Sequence, residues 1–223
     1  MNAAQLFQLD NNTTDNSTLF ARIADDLYAK GYSIQPEGLP AALCEALYQC
    51  NQELGNGDFV NAGVGRQTDH HRNQFIRNDE ICWIDGTSEA GRAWLNWAEE
   101  LKVFLNRNLF MGLFSFESHF AHYAPGSFYK RHYDAFRGES NRVLSLVTYL
   151  NPDWQREDGG ELVLYRSDDD HEGIKLLPRL GTLVLFLSEE FPHEVLPANK
   201  DRFSVASWYR INTTHGNQID PPR

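Results

Sequence analysis

Near Leu113 the spacing of apolar residues changes, and the change decides what this chain can fold into. Before it, apolar side chains recur at helical intervals; after it, they alternate with polar ones in short runs broken by turn residues, the pattern of strands with one face buried. Strands are predicted at about 113–124, 130–135, 142–150, 161–165, 173–178, 181–187 and 202–211, punctuated by Pro125-Gly126, Asn151-Pro152, Asp158-Gly-Gly160 and Pro178-Arg-Leu-Gly181. That count is what a double-stranded β-helix, or jelly roll, needs, so the expected fold is mainly β with supporting helices. The chain has 223 residues, 41% of them apolar, with fourteen Phe, nine Tyr and five Trp. It can fill one such core and line an internal pocket.

The expected helices lie upstream. Ser17 is a plausible N-cap for a helix with Leu19, Ile23 and Leu27 on one face and Gly31 as its stop, followed by a short strand at Tyr32-Ser-Ile34. Pro40 opens a second helix with Leu43, Leu47 and Cys50 inward, ending by Gly55, and a third follows Ser88 with Trp94, Ala98, Leu101, Leu105 and Leu109 on its packed face. We read 1–223 as one domain: a loose lead-in over 1–16, helical support over 17–111 and a β core over 112–211. Between Gly55 and Glu80 the pattern lapses into short polar pieces carrying Arg66, His70, His71, Arg72, Arg77 and Asp79. So long a polar segment inside a compact domain is usually functional. His70 and His71 are adjacent and read as solvated, and Gly63-Val-Gly65 lacks the third glycine of a dinucleotide loop.

A net charge of −11 argues against a nucleic-acid partner, which needs clustered Lys and Arg; a neutral or basic protein surface suits it better. Cys44, Cys50 and Cys82 are odd in number and lack framework spacing, which points to reduced thiols in a cytoplasmic setting. The polar first 17 residues show no secretory signal, and no apolar run has membrane-spanning length. Oligomeric state is open, with a monomer as the expectation.

His132 and Asp134 stand two apart in an extended segment, so their side chains share a face. His193, 61 positions later and just beyond a predicted strand, would complete two imidazoles and one carboxylate on one side of a metal. That facial set leaves open positions on non-haem Fe(II). Arg202 follows nine residues on, heading a strand whose inward face would read Arg202, Ser204, Ala206 and Trp208. An inward guanidinium is expensive unless it pairs, and its fork matches a carboxylate. His119 and His122, three apart on one strand and so on opposite faces, are read as ordinary core or surface residues, and Asp168-Asp-Asp170-His171 as a solvated turn.

Several stretches, in this order, resemble the 2-oxoglutarate- and Fe(II)-dependent oxygenases, and among them the prolyl 4-hydroxylases of the oxygen-sensing type and their bacterial relatives. They are Tyr123-Ala-Pro-Gly-Ser-Phe-Tyr129-Lys-Arg-His132-Tyr-Asp134, Arg142 to Trp154, Asp158-Gly-Gly-Glu-Leu162, and Pro192-His193 with Arg202 to Trp208. The resemblance implies Fe(II) on His132, Asp134 and His193, with 2-oxoglutarate and O2 as cosubstrates and ascorbate as an accessory reductant. It assigns 2-oxoglutarate to Arg202, Tyr149 and Tyr123. It places Tyr129, Trp208 and Arg142 around the substrate, and Arg77 and Asp79 at the end of a substrate lid over about 61–80. The implied reaction converts a proline of a protein, with elongation factor Tu as a candidate, to trans-4-hydroxyproline with release of succinate and CO2. No catalytic side chain beyond the metal centre is implied. Ala206 and Thr148 depart from the pattern, where a hydroxyl-bearing residue and an aromatic are familiar. The competing expectations are an oxygenase of a free amino acid or small metabolite, and a non-catalytic jelly-roll module that binds a peptide.

Overall fold

The computed structural model describes residues 16–55, 57–62, 77–135 and 141–212. The lead-in and most of the expected lid, with Arg66, His70, His71 and Arg72, lie outside the described residues.

Three helices precede most of the sheet. α1 (Ser17–Lys30) buries Leu19, Phe20, Ile23, Ala24 and Leu27, and Gly31 ends it in the left-handed region with its N–H on the Leu27 carbonyl. Its N-cap is Asn16 rather than Ser17, without a side-chain cap bond; the Asn16 amide instead donates to Glu100 of the third helix at 3.3 Å. α2 (Ala41–Glu53) turns Leu43, Cys44, Leu47 and Asn51 inward, while Cys50, expected inward, is only half-buried. α3 (Glu89–Leu109) starts at Ser88, whose Oγ accepts the Gly91 N–H at 3.0 Å, and buries Trp94, Trp97, Ala98, Leu101 and Leu105. None of these helices is long and apolar enough to cross a membrane.

The strands are β1 (Tyr32–Gln35), β2 (Val60–Asn61), β3 (Glu80–Trp83), β4 (Leu113–Tyr123), β5 (Tyr129–His132), β6 (Arg142–Tyr149), β7 (Leu162–Leu164), β8 (Ile174–Leu176), β9 (Leu183–Leu187), β10 (His193–Val195) and β11 (Arg202–Ile211). They form a seven-stranded sheet in the order β1-β9-β6-β11-β4-β3-β2 and a four-stranded sheet in the order β5-β10-β7-β8. Every pairing is antiparallel. Two antiparallel sheets closing on one core make the double-stranded β-helix expected from the alternation.

The central strands of the larger sheet divide their side chains between two cores. Facing the helices, Phe120, Leu144, Leu146, Leu183, Leu185, Val205 and Tyr209 pack with α1, α2 and α3. Trp94 is fully buried there, and its indole N–H donates to Ser118 Oγ at 2.9 Å, fixing α3 across β4. Truncating such a side chain to alanine costs roughly 3–5 kcal/mol. Between the sheets, Tyr123, Tyr149, Leu162, Leu164, Val184, Phe186, Phe191 and Val195 form the second core, and the polar side chains singled out in the sequence lie along it.

Candidate active site

β5 and β10 are neighbours in the smaller sheet, and their register sets His132 directly across from His193. β5 ends at His132, so Asp134 is not on the strand as the alternation predicted; it sits in the bend that follows. That bend leads to β6 of the other sheet, where Ser145 Oγ donates to Asp134 Oδ2 at 2.6 Å. Ser145 has its hydroxyl proton on Asp134, so Ser188 Oγ, 2.9 Å away, donates to it in turn. The free carboxylate oxygen, Oδ1, lies 3.6 Å from Nε2 of both His132 and His193. The three side chains offer ligand atoms all within 4.8 Å of one another.

The tautomers are set by the backbone. His132 Nδ1 lies 2.7 Å from the Lys130 carbonyl and His193 Nδ1 lies 3.2 Å from the Phe191 carbonyl. A carbonyl only accepts, so each Nδ1 carries a proton, which leaves Nε2 of each ring as the nitrogen that can ligate at the common point. Burial lowers the pKa of His193 to about 4, partly offset by Asp134. Burial alone would raise the pKa of Asp134, but His193, His132 and the Ser145 hydroxyl outweigh it and hold the group ionised well below the usual carboxylate range. Two imidazole nitrogens and a carboxylate oxygen, all aimed inward, suit a divalent metal.

Arg202 heads β11 and is 1% exposed. Its Nε donates to the Gly160 carbonyl at 2.9 Å and Nη1 reaches Ser204 Oγ at 3.4 Å. No carboxylate among the described residues pairs with it. The guanidinium lies 5.0 Å from the Tyr123 ring and 5.2 Å from the Tyr149 ring. Tyr149 is fully buried and its hydroxyl has no partner among the described residues; burial pushes its pKa up to about 12 although Arg202 pulls the other way, so it stays a donor. A buried cation without an anion and a buried hydroxyl without an acceptor, side by side, fit a carboxylate of a small diacid. Gly159 and Gly160 make this corner possible: both have positive φ, and a Cβ on Gly160 would stand 2.9 Å from Ala198 Cβ and 3.2 Å from Arg202 Cδ.

The remaining expected residues form the rim. Tyr129 stacks on His132 with ring centroids 3.5 Å apart, and Arg77 lies 4.4 Å above Tyr129. Arg77 forks onto Asp79, which is 1% exposed. Arg142 covers Trp208 at 3.8 Å and is held by Glu117. Thr148, a departure from the family pattern, faces the helices instead, and its buried hydroxyl has no partner among the described residues.

Ser145, Glu117 and the Gly160 carbonyl hold the expected residues in place, and sequence reasoning missed them. The first two had a usable signal, since Ser145 shares its strand face with Tyr149 and Glu117 shares one with Tyr123. The Gly160 carbonyl, a main-chain group, had none.

Residues 118–210 match the 2OG-Fe(II) oxygenase superfamily. Among solved structures, the chain is similar to a prolyl-4-hydroxylase of Pseudomonas putida, 41% identical, with a TM-score of 0.76 over 86% of this chain and 99% of that one. It is also similar to a Trichoplax adhaerens prolyl hydroxylase in complex with a peptide fragment of the hypoxia inducible factor oxygen degradation domain: 26% identical, TM-score 0.76, 94% of each chain. Among curated proteins it is 37% identical over 91 residues to the prolyl 3-hydroxylase OGFOD1 of Xenopus laevis, covering 37% of this chain. The chain spans only 17% and 33% of the lengths of the first two curated relatives it matches.

Proposed function

The chain belongs to the prolyl-hydroxylase branch of the 2OG-Fe(II) oxygenase superfamily, and from that membership we propose that it hydroxylates a proline of a protein substrate. The observation that carries this reading is the corner beside the His132, Asp134 and His193 set where, among the described residues, Arg202 has no carboxylate and the Tyr149 hydroxyl no hydrogen-bond partner, because a structural metal site has no need of a buried carboxylate clamp. Homology supports a peptide or protein proline; we further propose C4 as the carbon attacked and elongation factor Tu as a candidate substrate. The three free cysteines agree with a reducing, cytoplasmic setting.

In this reading His132, Asp134 and His193 hold Fe(II), while Arg202 and Tyr149, with Tyr123 as a wall, hold the far carboxylate of 2-oxoglutarate. When bound, these groups supply the oxidising chemistry: O2 is consumed, 2-oxoglutarate leaves as succinate and CO2, and one oxygen atom ends on the proline. The protein binds, orients and shields. Ser145 fixes which Asp134 oxygen is free. The main-chain carbonyls at Lys130 and Phe191 stop the imidazoles from rotating. Trp208 and Tyr129 offer apolar faces against which a pyrrolidine ring can be placed, and Arg77, Asp79 and Arg142 close the rim. No side chain transfers a proton to the carbon attacked.

Incubating the metal-reconstituted protein with 2-oxoglutarate and proline-containing peptides tests this reading. The expected result is a peptide 16 mass units heavier and an equal amount of succinate. Succinate with unmodified peptides but with an oxidised free amino acid or small metabolite would replace the substrate class, and neither product would leave a peptide-binding module. A second reading, oxidation at C3, is favoured by the 37% identity to a prolyl 3-hydroxylase; carbon NMR of the hydroxylated residue separates the two positions.

A further inference from the structure

His132 and His193 face each other across β5 and β10, but the ladder that pairs them is short. His193 matches His132, Val195 matches Tyr129, and the register shifts between the two positions. A strand pair so brief and irregular fixes the direction of its side chains weakly. The chain neighbours of the metal-ligating side chains point the other way, to the outer face of the smaller sheet. There they are all tied to one segment, Tyr165 and the β7–β8 connection that follows it, 166–173.

Arg131 precedes His132, Tyr133 lies between His132 and Asp134, and Glu194 follows His193. The Arg131 guanidinium lies 3.9 Å from the centroid of the Tyr165 ring. Its Nη groups donate to three main-chain carbonyls of the connection, Ser167 at 2.7 Å, Asp168 at 3.1 Å and Asp170 at 2.9 Å. The Tyr165 hydroxyl donates to Glu194, and the Tyr133 hydroxyl donates to Asp168 Oδ1 at 2.8 Å. The acidic turn reads as solvated in the sequence, and Asp168, Asp169 and His171 are exposed. Yet the connection is folded around Asp170, whose carboxylate accepts the N–H groups of Arg166, Glu172 and Gly173. Gly173 has a φ of +63°, and a Cβ there would stand 2.5 Å from Val163 Cγ1 and 3.0 Å from the Tyr165 ring. Main chain thus packs where no side chain fits, and Tyr165 is 7% exposed although it faces outward. Three carbonyls within four residues suit a planar fork, which lysine lacks. A positive charge one residue from a cation site works against metal binding, so the place of Arg131 is explained by what it holds.

We propose that Arg131 is a positioning residue for the metal centre: with Tyr133, Tyr165 and Glu194 it clamps the outer side of the β5–β10 pair to the β7–β8 connection. Through the main chain that clamp fixes the directions of His132, Asp134 and His193. The inference rests on the assignment of a divalent metal to those three side chains and extends it to the groups behind them.

The test uses the full-length protein with Co(II) as the probe, its affinity measured by calorimetry and its ligand geometry by visible absorption. Arg131→Met keeps an apolar stem over Tyr165 and loses the fork, Arg131→Lys keeps the charge and loses the fork, and Tyr133→Phe loses one hydroxyl with no change of charge. By charge alone Arg131→Met would bind Co(II) more tightly than wild type, and Arg131→Lys equally well. The clamp predicts the opposite: both Arg131 variants weaken Co(II) about tenfold, the low end for removing a group that orients metal ligands, and Tyr133→Phe weakens it several-fold. The absorption bands of the Co(II)-saturated variants shift from those of wild type. A loss of stability alone would lower the Tm of the metal-free variants and leave those bands in place. Should Arg131→Met not fold, Arg131→Lys and Tyr133→Phe carry the same test. Wild-type or tighter Co(II) binding in any folded variant of the three, or unshifted bands, overturns the inference while leaving the metal assignment intact. Wild-type Co(II) binding that survives His193→Ala overturns the metal assignment, and this inference with it.

Discussion

Replacing Arg202 with methionine separates a cosubstrate clamp from a structural bond. In the ligand-free protein the guanidinium has one strong partner, the Gly160 carbonyl at 2.9 Å, and the faces of Tyr123 and Tyr149. Against those stands the cost of a buried charge with no anion, several kcal/mol in a medium of this kind. The two sides oppose each other, so the Tm of ligand-free Arg202→Met should stay within a few degrees of wild type. With 2-oxoglutarate present the balance changes, because breaking a buried charge pair costs about 3–5 kcal/mol. That corresponds to a loss of roughly two to three and a half decades in affinity. In a thermal-melt assay with saturating Mn(II), 2-oxoglutarate at 100 times its wild-type Kd stabilises by about 2.7 kcal/mol, which for a chain of this size raises Tm by roughly 5–10 °C. For Arg202→Met at the same concentration the ligand no longer exceeds its Kd, and the rise should fall below about 2 °C. A full ligand-induced rise in the variant would refute the clamp. So would a ligand-free Tm lowered by more than about 10 °C, which would make the Gly160 bond the reason for the arginine.

The other predictions concern the groups around Arg202 and the metal-ligand set. Tyr149→Phe deletes a buried hydroxyl that has no partner among the described residues; it should leave the ligand-free protein as stable or about 1 kcal/mol more so in urea unfolding, while raising KM for 2-oxoglutarate several-fold. His132→Ala and His193→Ala should abolish turnover and metal uptake measured by equilibrium dialysis, whereas Ser145→Ala, which frees Asp134 to rotate, should weaken metal binding about 10–100-fold. Gly160→Ala should both destabilise the fold and weaken 2-oxoglutarate, since φ there is +70° and the new Cβ would press on Ala198 and Arg202; a variant with wild-type KM would show the corner to be more yielding than its contacts imply. Burial, with Glu45 adding to it, raises the Cys44 thiol to about 11, so at pH 8 it should resist iodoacetamide in the folded protein and react on unfolding.

Much of this architecture was legible because two periods coexist in the chain. Helix faces such as Leu19, Ile23, Leu27 and Trp94, Ala98, Leu101, Leu105 are written at helical spacing, and Ser204, Trp208 and Tyr149 at strand spacing, so burial follows directly. The smaller sheet was less legible. Its strands run three or four residues, too few for alternation to declare itself, so the strands expected at 161–165 and 173–178 exceed β7 and β8, and no strand is expected at β10. Position 134 shows the same limit. Two residues apart is equally what a pleat or a bend can bring together, and the sequence does not say that β5 stops at His132. The rim pairs, Arg77 with Asp79 and Arg142 with Glu117, depend on which charges the fold brings together.

The division of labour between the sheets has a physical consequence for the site. His132 and His193 belong to the smaller sheet, while Asp134, though it follows β5, is hydrogen-bonded to Ser145 on the larger sheet, which also carries Arg202, Tyr149 and Trp208. The convergence of the three ligand atoms is therefore a measure of how the two sheets sit on each other, and the core between them, with Phe186 against His193 at 4.6 Å, sets that spacing. Packed side chains tolerate little change in volume before neighbours shift. Phe186→Leu should accordingly weaken metal binding while leaving a folded protein. Unaltered metal affinity in that variant would show that the β5–β10 pairing and the Ser145 bond alone position the ligands.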